Sequence, residues 1–231
     1  CDFYFQSARS NDAKLSNSYY KLAGVCARHV TFNEMEAVYG EISPGKITSS
    51  LLQTADMLHP QLPEFGGPKP LVVPVGFDQD PHLRLARDIS QRIKEFKFIQ
   101  LSSTYHKFAV GLKGGKMSSS DPTSYIALTD TPEEAATKIR KHAFSGGRAT
   151  AAEQKKLGAN PDIDVSYQWL KEFFEPDDKK LRKIYDDYKS GAMLTGELKE
   201  LLIERVTAFL KEHQKKREQA RKQVDKFLKA D

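Results

Sequence analysis

The residues carrying the most chemistry run from 111 to 122, Gly-Leu-Lys-Gly-Gly-Lys-Met-Ser-Ser-Ser-Asp-Pro. A lysine on a glycine-hinged loop can follow a phosphate group as charge builds on it. The hydroxyls of Ser118 and Ser120, with free backbone N–H groups, add donors around Lys116. The pattern predicts a mobile clamp for a polyphosphate, and with it nucleotide chemistry. A second set, Gly76, Asp78 and Gln79, follows an apolar run; glycine lets the backbone approach a ligand closely and Asp78 offers an acceptor. Histidines stand at 29, 59, 82, 106, 142 and 213. His82, His106 and His142 have no cysteine or paired carboxylate at useful spacing, so none of them is assigned to catalysis, and no metal site is expected.

The elements that must position these groups are legible in outline. Leu71-Val72-Val73-Pro74-Val75-Gly76-Phe77 is a short β-branched run followed by Asp80 and Pro81, which reads as strand, tight turn and helix, with Asp80 as N-cap. The helix from Pro81 to about Ile93 would bury Leu85, Ile89 and Ile93, with Arg84, Arg87 and Asp88 on other faces. If the sheet is parallel, the turn at 76–79 is where ligands bind. Apolar groups at 47, 51, 55 and 58 predict a helix with Gln53 beside its stripe, and the Thr31/Glu34 and Thr131/Glu134 spacings predict capping boxes. Residues 124–128 fit a last strand or an extended connector. Beyond them helical periodicity dominates, and Trp169, Leu170, Phe173 and Phe174, then Leu181 to Tyr188 and Leu198 to Leu210, read as core. The fold class is α/β followed by all-helical, divided near residue 130 into 1–130 and 131–231.

Bulk properties narrow the setting. The 231 residues are 39% hydrophobic and 29% charged, and no apolar stretch approaches the length needed to cross a bilayer, so no membrane partner is expected. Two cysteines, Cys1 and Cys26, build no disulfide framework, and with no targeting segment the expectation is a reducing, cytoplasmic setting. The net charge of +5 is concentrated late: residues 211–231 hold eight Lys or Arg against four Asp or Glu. A basic tail of that kind suits an RNA backbone or a solvated helix face.

Five blocks in order carry a resemblance. They are His29-Val-Thr-Phe-Asn33, the Gly45-Lys-Ile47 helix entry with Gln53, Asp78-Gln-Asp-Pro81 with Arg84 and Arg87-Asp88, Lys141-His-Ala-Phe-Ser-Gly-Gly-Arg148, and Ser190-Gly-Ala-Met-Leu-Thr-Gly-Glu-Leu-Lys199. With Lys116-Met-Ser-Ser-Ser120, which looks like the KMSKS signature of class I aminoacyl-tRNA synthetases, the chain is similar to tryptophanyl-tRNA synthetases of the archaeal and eukaryotic type. Ser119 stands where many members have a second lysine.

The resemblance implies a Rossmann-like catalytic domain, here its C-terminal part, followed by an anticodon-binding domain. It implies ATP-dependent activation of tryptophan to tryptophanyl-adenylate and transfer to tRNA(Trp), with Mg2+ carried on ATP. Lys116, Ser118 and Ser120 would stabilise the departing pyrophosphate. Gly76, Asp78, Gln79, Lys116, Met117 and Ser118 would bind the nucleotide, with Asp78 on either ribose hydroxyls or the substrate ammonium. Gln53 and Gln79 would hold the amino acid's polar head, and Arg148 and Lys199 are the candidates for anticodon contact. A homodimer is expected of the complete enzyme. The family's H-x-G-H signature is absent, so the expectation is a fragment without adenylation activity of its own; the alternatives are a tyrosyl enzyme and a non-catalytic tRNA-binding fragment.

Overall fold

A computed structural model describes residues 13–226; Cys1 and the last five residues lie outside them. The described residues are mostly helical with a small parallel sheet, and the chain divides into two compact units, 1–107 with 225–231, and 108–224. Among the described residues no helix is long and apolar enough to cross a membrane.

The first unit is built from α1 (Ala13–Ala27), α2 (Phe32–Tyr39), α3 (Pro44–Leu58), β1 (Val72–Gly76), α4 (Asp80–Arg92) and β2 (Ser102–His106). The strands pair in parallel from Val72 with Ser102 to Gly76 with His106, a pairing that requires a crossover, which α4 supplies. Helix α4 buries Leu83, Leu85, Ala86 and Ile89, and Ile93 follows at its end; each fully buried branched side chain contributes about 1.5–3 kcal/mol. The expected burial of Leu85, Ile89 and Ile93 is therefore observed. Asp80 is not the N-cap: Gln79 holds that place, and Asp80 is the first helical residue. The cause is the 3-10 turn at Phe77–Gln79, which runs straight into the helix. The Asp80 carboxylate instead accepts from the Tyr105 hydroxyl of β2 and pairs with Arg84 one turn on.

Polar side chains fix the route into β2. Gln61, buried, exchanges two hydrogen bonds with the backbone of Ile99, at 2.8 and 2.7 Å. Arg87 of α4 donates to Leu101 O at 2.9 Å and to Ser103 Oγ at 2.7 Å. Thr31 and Glu34 form the expected capping box.

The second unit contains α5 (Pro132–His142), α6 (Ala151–Leu157), α7 (Val165–Trp169) continued by a π turn at Leu170–Phe174, α8 (Asp178–Ser190) and α9 (Thr195–Arg221). Its core joins Ile139, Val165, Leu170, Tyr188, Leu198, Leu202, Val206 and Leu210. Residues 124–128 form no strand: a bend at Ser124 leads through three irregular residues to a turn at Leu128. The packing division falls at 107/108 rather than near 130 because Leu112, inside the basic loop, is fully buried in this helical core. The Trp169 indole also donates to Val110 O at 2.7 Å.

Two aromatics expected in the core are on the surface, Phe173 at 55% and Phe209 at 45% exposure. At Phe173 the cause is the π turn: Glu175 N–H reaches back five residues to Leu170 O at 2.8 Å, which rotates the residues after Leu170 out of α-helical phase.

Candidate nucleotide and substrate site

In the first unit Gly76 ends β1, and the chain turns at once through Phe77, Asp78 and Gln79 into α4. The carboxyl end of a parallel strand is thus where the sequence placed its ligand turn. Gln53, on α3, comes to the same place from 26 positions away: its Nε2 donates to Gln79 Oε1 at 3.0 Å. The Tyr39 hydroxyl, 3.4 Å from Gln53 Oε1, donates to it from the end of α2. Beside Gln53 an open cleft of about 830 Å³ runs along α3 past Gly45, Thr48, Leu52 and Asp56. Asp78 is exposed. Asp80 is held below the ordinary carboxylate range, first by the Tyr105 hydroxyl and then by Arg84. His82 is pushed down by burial against a smaller opposing pull from Asp78.

In the second unit the basic loop is more ordered by its own bonds than its composition suggests. Gly111 N–H donates to Gly115 O at 2.6 Å and Gly114 N–H to Gly111 O at 2.8 Å, the latter with Gly114 at φ +82°. Lys116 pairs with Val110 in an antiparallel bridge, and its Nζ lies 5.3 Å from the centre of the Phe108 ring. The Ser118 N–H, expected to face a ligand, donates to Ser124 Oγ at 3.0 Å. The Ser118 and Ser120 hydroxyls lie 2.8 Å apart on an exposed turn, and Met117 packs its side chain on the helical core. A second cation, Lys113, had no assigned role in the sequence; it pairs with Asp121 across the loop at 2.8 Å. That ammonium, followed by the Thr123 hydroxyl, lowers the Asp121 carboxyl to about 2.

Arg148 and Lys199 are placed differently from each other. Arg148 is exposed at the edge of a cleft of about 650 Å³ whose walls include Ser145, Gln154, Thr195 and Glu197, and its Nε donates to Gly158 O at 3.1 Å. Lys199 is half-buried, and its Nζ donates to Arg140 O near the end of α5 at 3.0 Å, where a cation satisfies a carbonyl left open by the helix. Burial lowers its ammonium against a weaker pull from Asp164.

Under this cleft lies a polar network the sequence did not disclose. The buried Asp164 accepts from the Tyr188 hydroxyl at 2.7 Å and from Gly146 N–H at 2.9 Å through one oxygen, and from Ser166 N–H at 2.8 Å through the other. The Tyr188 hydroxyl also contacts Thr195 Oγ1 at 3.0 Å, and Thr195 donates to Gln154 Oε1 at 2.9 Å. Burial pushes the Tyr188 phenol up to about 12. Thr195 and Gln154, which bond directly, are 41 residues apart; the one signal pointing to the network is the glycine pattern. A Cβ on Gly147 would lie 2.2 Å from Thr195 Oγ1, and one on Gly191 2.2 Å from Gln154 O. Among the described residues no group of three or more His, Cys, Asp or Glu side chains could hold a metal ion.

The family model for class I tRNA synthetases (W and Y) matches residues 3–211. The tryptophan–tRNA ligase of Hyperthermus butylicus is 47% identical over 211 residues, covering 91% of this chain and 56% of the relative. That of Methanocaldococcus jannaschii is 46% identical over 222 residues, covering 93% and 60%. Among solved structures, tryptophanyl-tRNA synthetase from Aeropyrum pernix K1 superposes with a TM-score of 0.90 at 44% identity, covering 100% of this chain and 61% of that one. The enzyme from Encephalitozoon cuniculi, bound to tryptophan, gives 0.71 at 29% identity, covering 90% and 56%. The chain spans between half and two thirds of the length of each of these relatives.

Proposed function

Because the chain belongs to the family of class I tRNA synthetases for tryptophan and tyrosine, we propose that it forms part of a tryptophan–tRNA ligase. Residues 1–130, with the Lys116 loop, are read as the C-terminal part of a Rossmann-like catalytic domain, and residues 131–231 as the anticodon-binding domain. The activity is ATP-dependent formation of tryptophanyl-adenylate, then transfer of the acyl group to tRNA(Trp). The observation that carries this reading is the Gln53–Gln79 amide pair at the carboxyl end of a parallel strand, in a chain 47% identical to a tryptophan–tRNA ligase. The tyrosyl alternative is not favoured, since the quoted relatives are tryptophan enzymes.

The chemistry asks for alignment and charge neutralisation more than for covalent help. A carboxylate oxygen of tryptophan attacks the α-phosphorus of ATP, the bond from that phosphorus to the bridging oxygen breaks, and pyrophosphate leaves with the electron pair. Gln53 and Gln79 hold the polar head of the amino acid, Gly76 admits the nucleotide close to the backbone, and Asp78 is an exposed acceptor for ribose hydroxyls or the ammonium. Lys116, Ser118 and Ser120, backed by Met117, meet the negative charge gathering on the leaving group, and Mg2+ arrives as part of the MgATP substrate.

For tRNA the reading rests on Arg148, whose guanidinium stands at an open cleft where a planar cation can stack on an unpaired base, and on Lys199, whose Nζ donates to Arg140 O. The cellular setting is taken as cytoplasmic and the enzyme as a homodimer. Pyrophosphate exchange by the full-length protein tests the reading: tryptophan is expected to drive it and tyrosine not. Exchange driven by tyrosine, or by neither amino acid, overturns it.

A further inference from the structure

Tyr39 takes no part in the chemistry above, yet it begins the hydrogen-bond chain that ends at Gln79. It closes α2, and its ring packs against His82 of α4 with centroids 4.6 Å apart. Its hydroxyl donates to Gln53 Oε1 at 3.4 Å, and Gln53 Nε2 donates to Gln79 Oε1 at 3.0 Å. Such a chain has a direction. A carboxamide accepts at its oxygen and donates at its nitrogen. If the first amide accepts a hydrogen bond at its oxygen, it presents NH2 to the second; the second then turns its oxygen inward and its own NH2 outward.

The two glutamines alone would be satisfied equally well with every amide reversed. In that arrangement Gln79 would donate to Gln53, Gln53 would donate to the phenol oxygen, and Gln79 would offer a carbonyl oxygen to a ligand. Tyr39 breaks the tie, because a phenol delocalises its oxygen lone pair into the ring and is a better donor than acceptor. Burial also raises its proton affinity against a smaller opposing effect of the Ser50 side chain; Ser50 directs its own proton to Ile47 O, and the phenol donates to Gln53 Oε1.

We infer that Tyr39 is a positioning residue for substrate recognition: it sets the orientation of both amides so that Gln79 offers N–H donors to a carboxylate, rather than an oxygen to an ammonium. This rests on the reading that Gln53 and Gln79 hold the head of tryptophan, and it decides which half of that head Gln79 takes.

The test uses the full-length protein with tryptophan and with tryptamine, which has the indole and ammonium but no carboxylate, their binding measured by calorimetry. Tyr39→Phe keeps the ring against His82 and removes only the donor. One hydrogen bond of this length is expected to raise the Kd for tryptophan about threefold to tenfold, leave that for tryptamine unchanged, and leave kcat for pyrophosphate exchange within about twofold. In a Gln79→Ala background the same substitution should change neither ligand, because the group that Tyr39 orients is gone. Equal weakening of both ligands would assign Tyr39 to packing alone and overturn the inference, as would no change in either. A wild-type protein that binds no tryptophan overturns the functional reading and this inference together; one that binds it while Tyr39→Phe fails to discriminate overturns the inference only.

Discussion

Two lysines stand three positions apart on one loop. Lys113 is paired with Asp121 at 2.8 Å, which restrains its position across the loop. Lys116 Nζ lies 5.3 Å from the centre of the Phe108 ring, in the stretch of glycines and hydroxyls read as the pyrophosphate clamp. On that reading Lys116→Ala is expected to lower kcat for pyrophosphate exchange about 10²–10³-fold, the scale of removing one donor to developing charge. The KM for tryptophan should move less than about threefold. Lys113→Ala should cost less than about fivefold in kcat. Steady-state exchange assays on both variants check this, and equal losses would remove the special role of Lys116. Residue type alone pointed to Lys116, since ammonium, glycine and hydroxyl in one short loop have few other uses. What stayed hidden was how much of the loop's donor capacity is satisfied internally. Ser118 N–H bonds Ser124 Oγ, and nothing in the intervening residues announces that a connector would fold back six positions to reach it.

Elements whose instructions are local were legible. The capping boxes at Thr31/Glu34 and Thr131/Glu134 are present, and α4 buries the predicted stripe, because a side chain three or four positions away suffices to specify each. Features needing distant partners were not: the π turn that exposes Phe173, the burial of Leu112 among helices, and the Asp164–Tyr188 bond across 24 positions. Glycines record such packing indirectly. Gly191 ends α8 at φ +86°, where an added Cβ would also lie 2.2 Å from Gln154 O, a backbone atom that cannot swing away. Gly191→Ala is thus expected to destabilise the helical unit by about 2–4 kcal/mol, left-handed strain and overpacking acting together. Gly196, helical in the first turn of α9 with nothing within 4 Å of its added Cβ, gives the opposite sign. Gly196→Ala should stabilise by up to about 1 kcal/mol through helix propensity. Urea unfolding followed by circular dichroism measures both, and a Gly191→Ala protein as stable as the parent would show that the α8–α6 approach is loose.

At the scale of the whole molecule the charge distribution sets an expectation that no single side chain carries. The net charge is +5, and the segment from Lys211 onward contributes eight cations against four anions. In the described part of that segment, Lys216 pairs with Glu212, and Arg217 and Arg221 both approach Glu218, while Lys215 and Lys222 are exposed on the same stretch. A solvated helix face and an RNA-contacting one predict different salt behaviour. Each phosphate contact releases counterions, so the slope of log affinity against log salt falls by roughly 0.7–0.9 for every contact removed. If the end of α9 touches the tRNA backbone, the double variant Lys215→Gln, Lys222→Gln should flatten that slope by about 1–2 for the full-length protein. Tryptophan-dependent pyrophosphate exchange, which needs no tRNA, should be unchanged. Arg148→Ala provides the contrast: an arginine stacked on an unpaired base should weaken cognate tRNA about tenfold or more while moving the slope by less than one. Filter binding across a salt series separates the two, and an unaltered slope in the double variant would leave the basic segment as solvated surface and return tRNA recognition to the cleft beside Arg148.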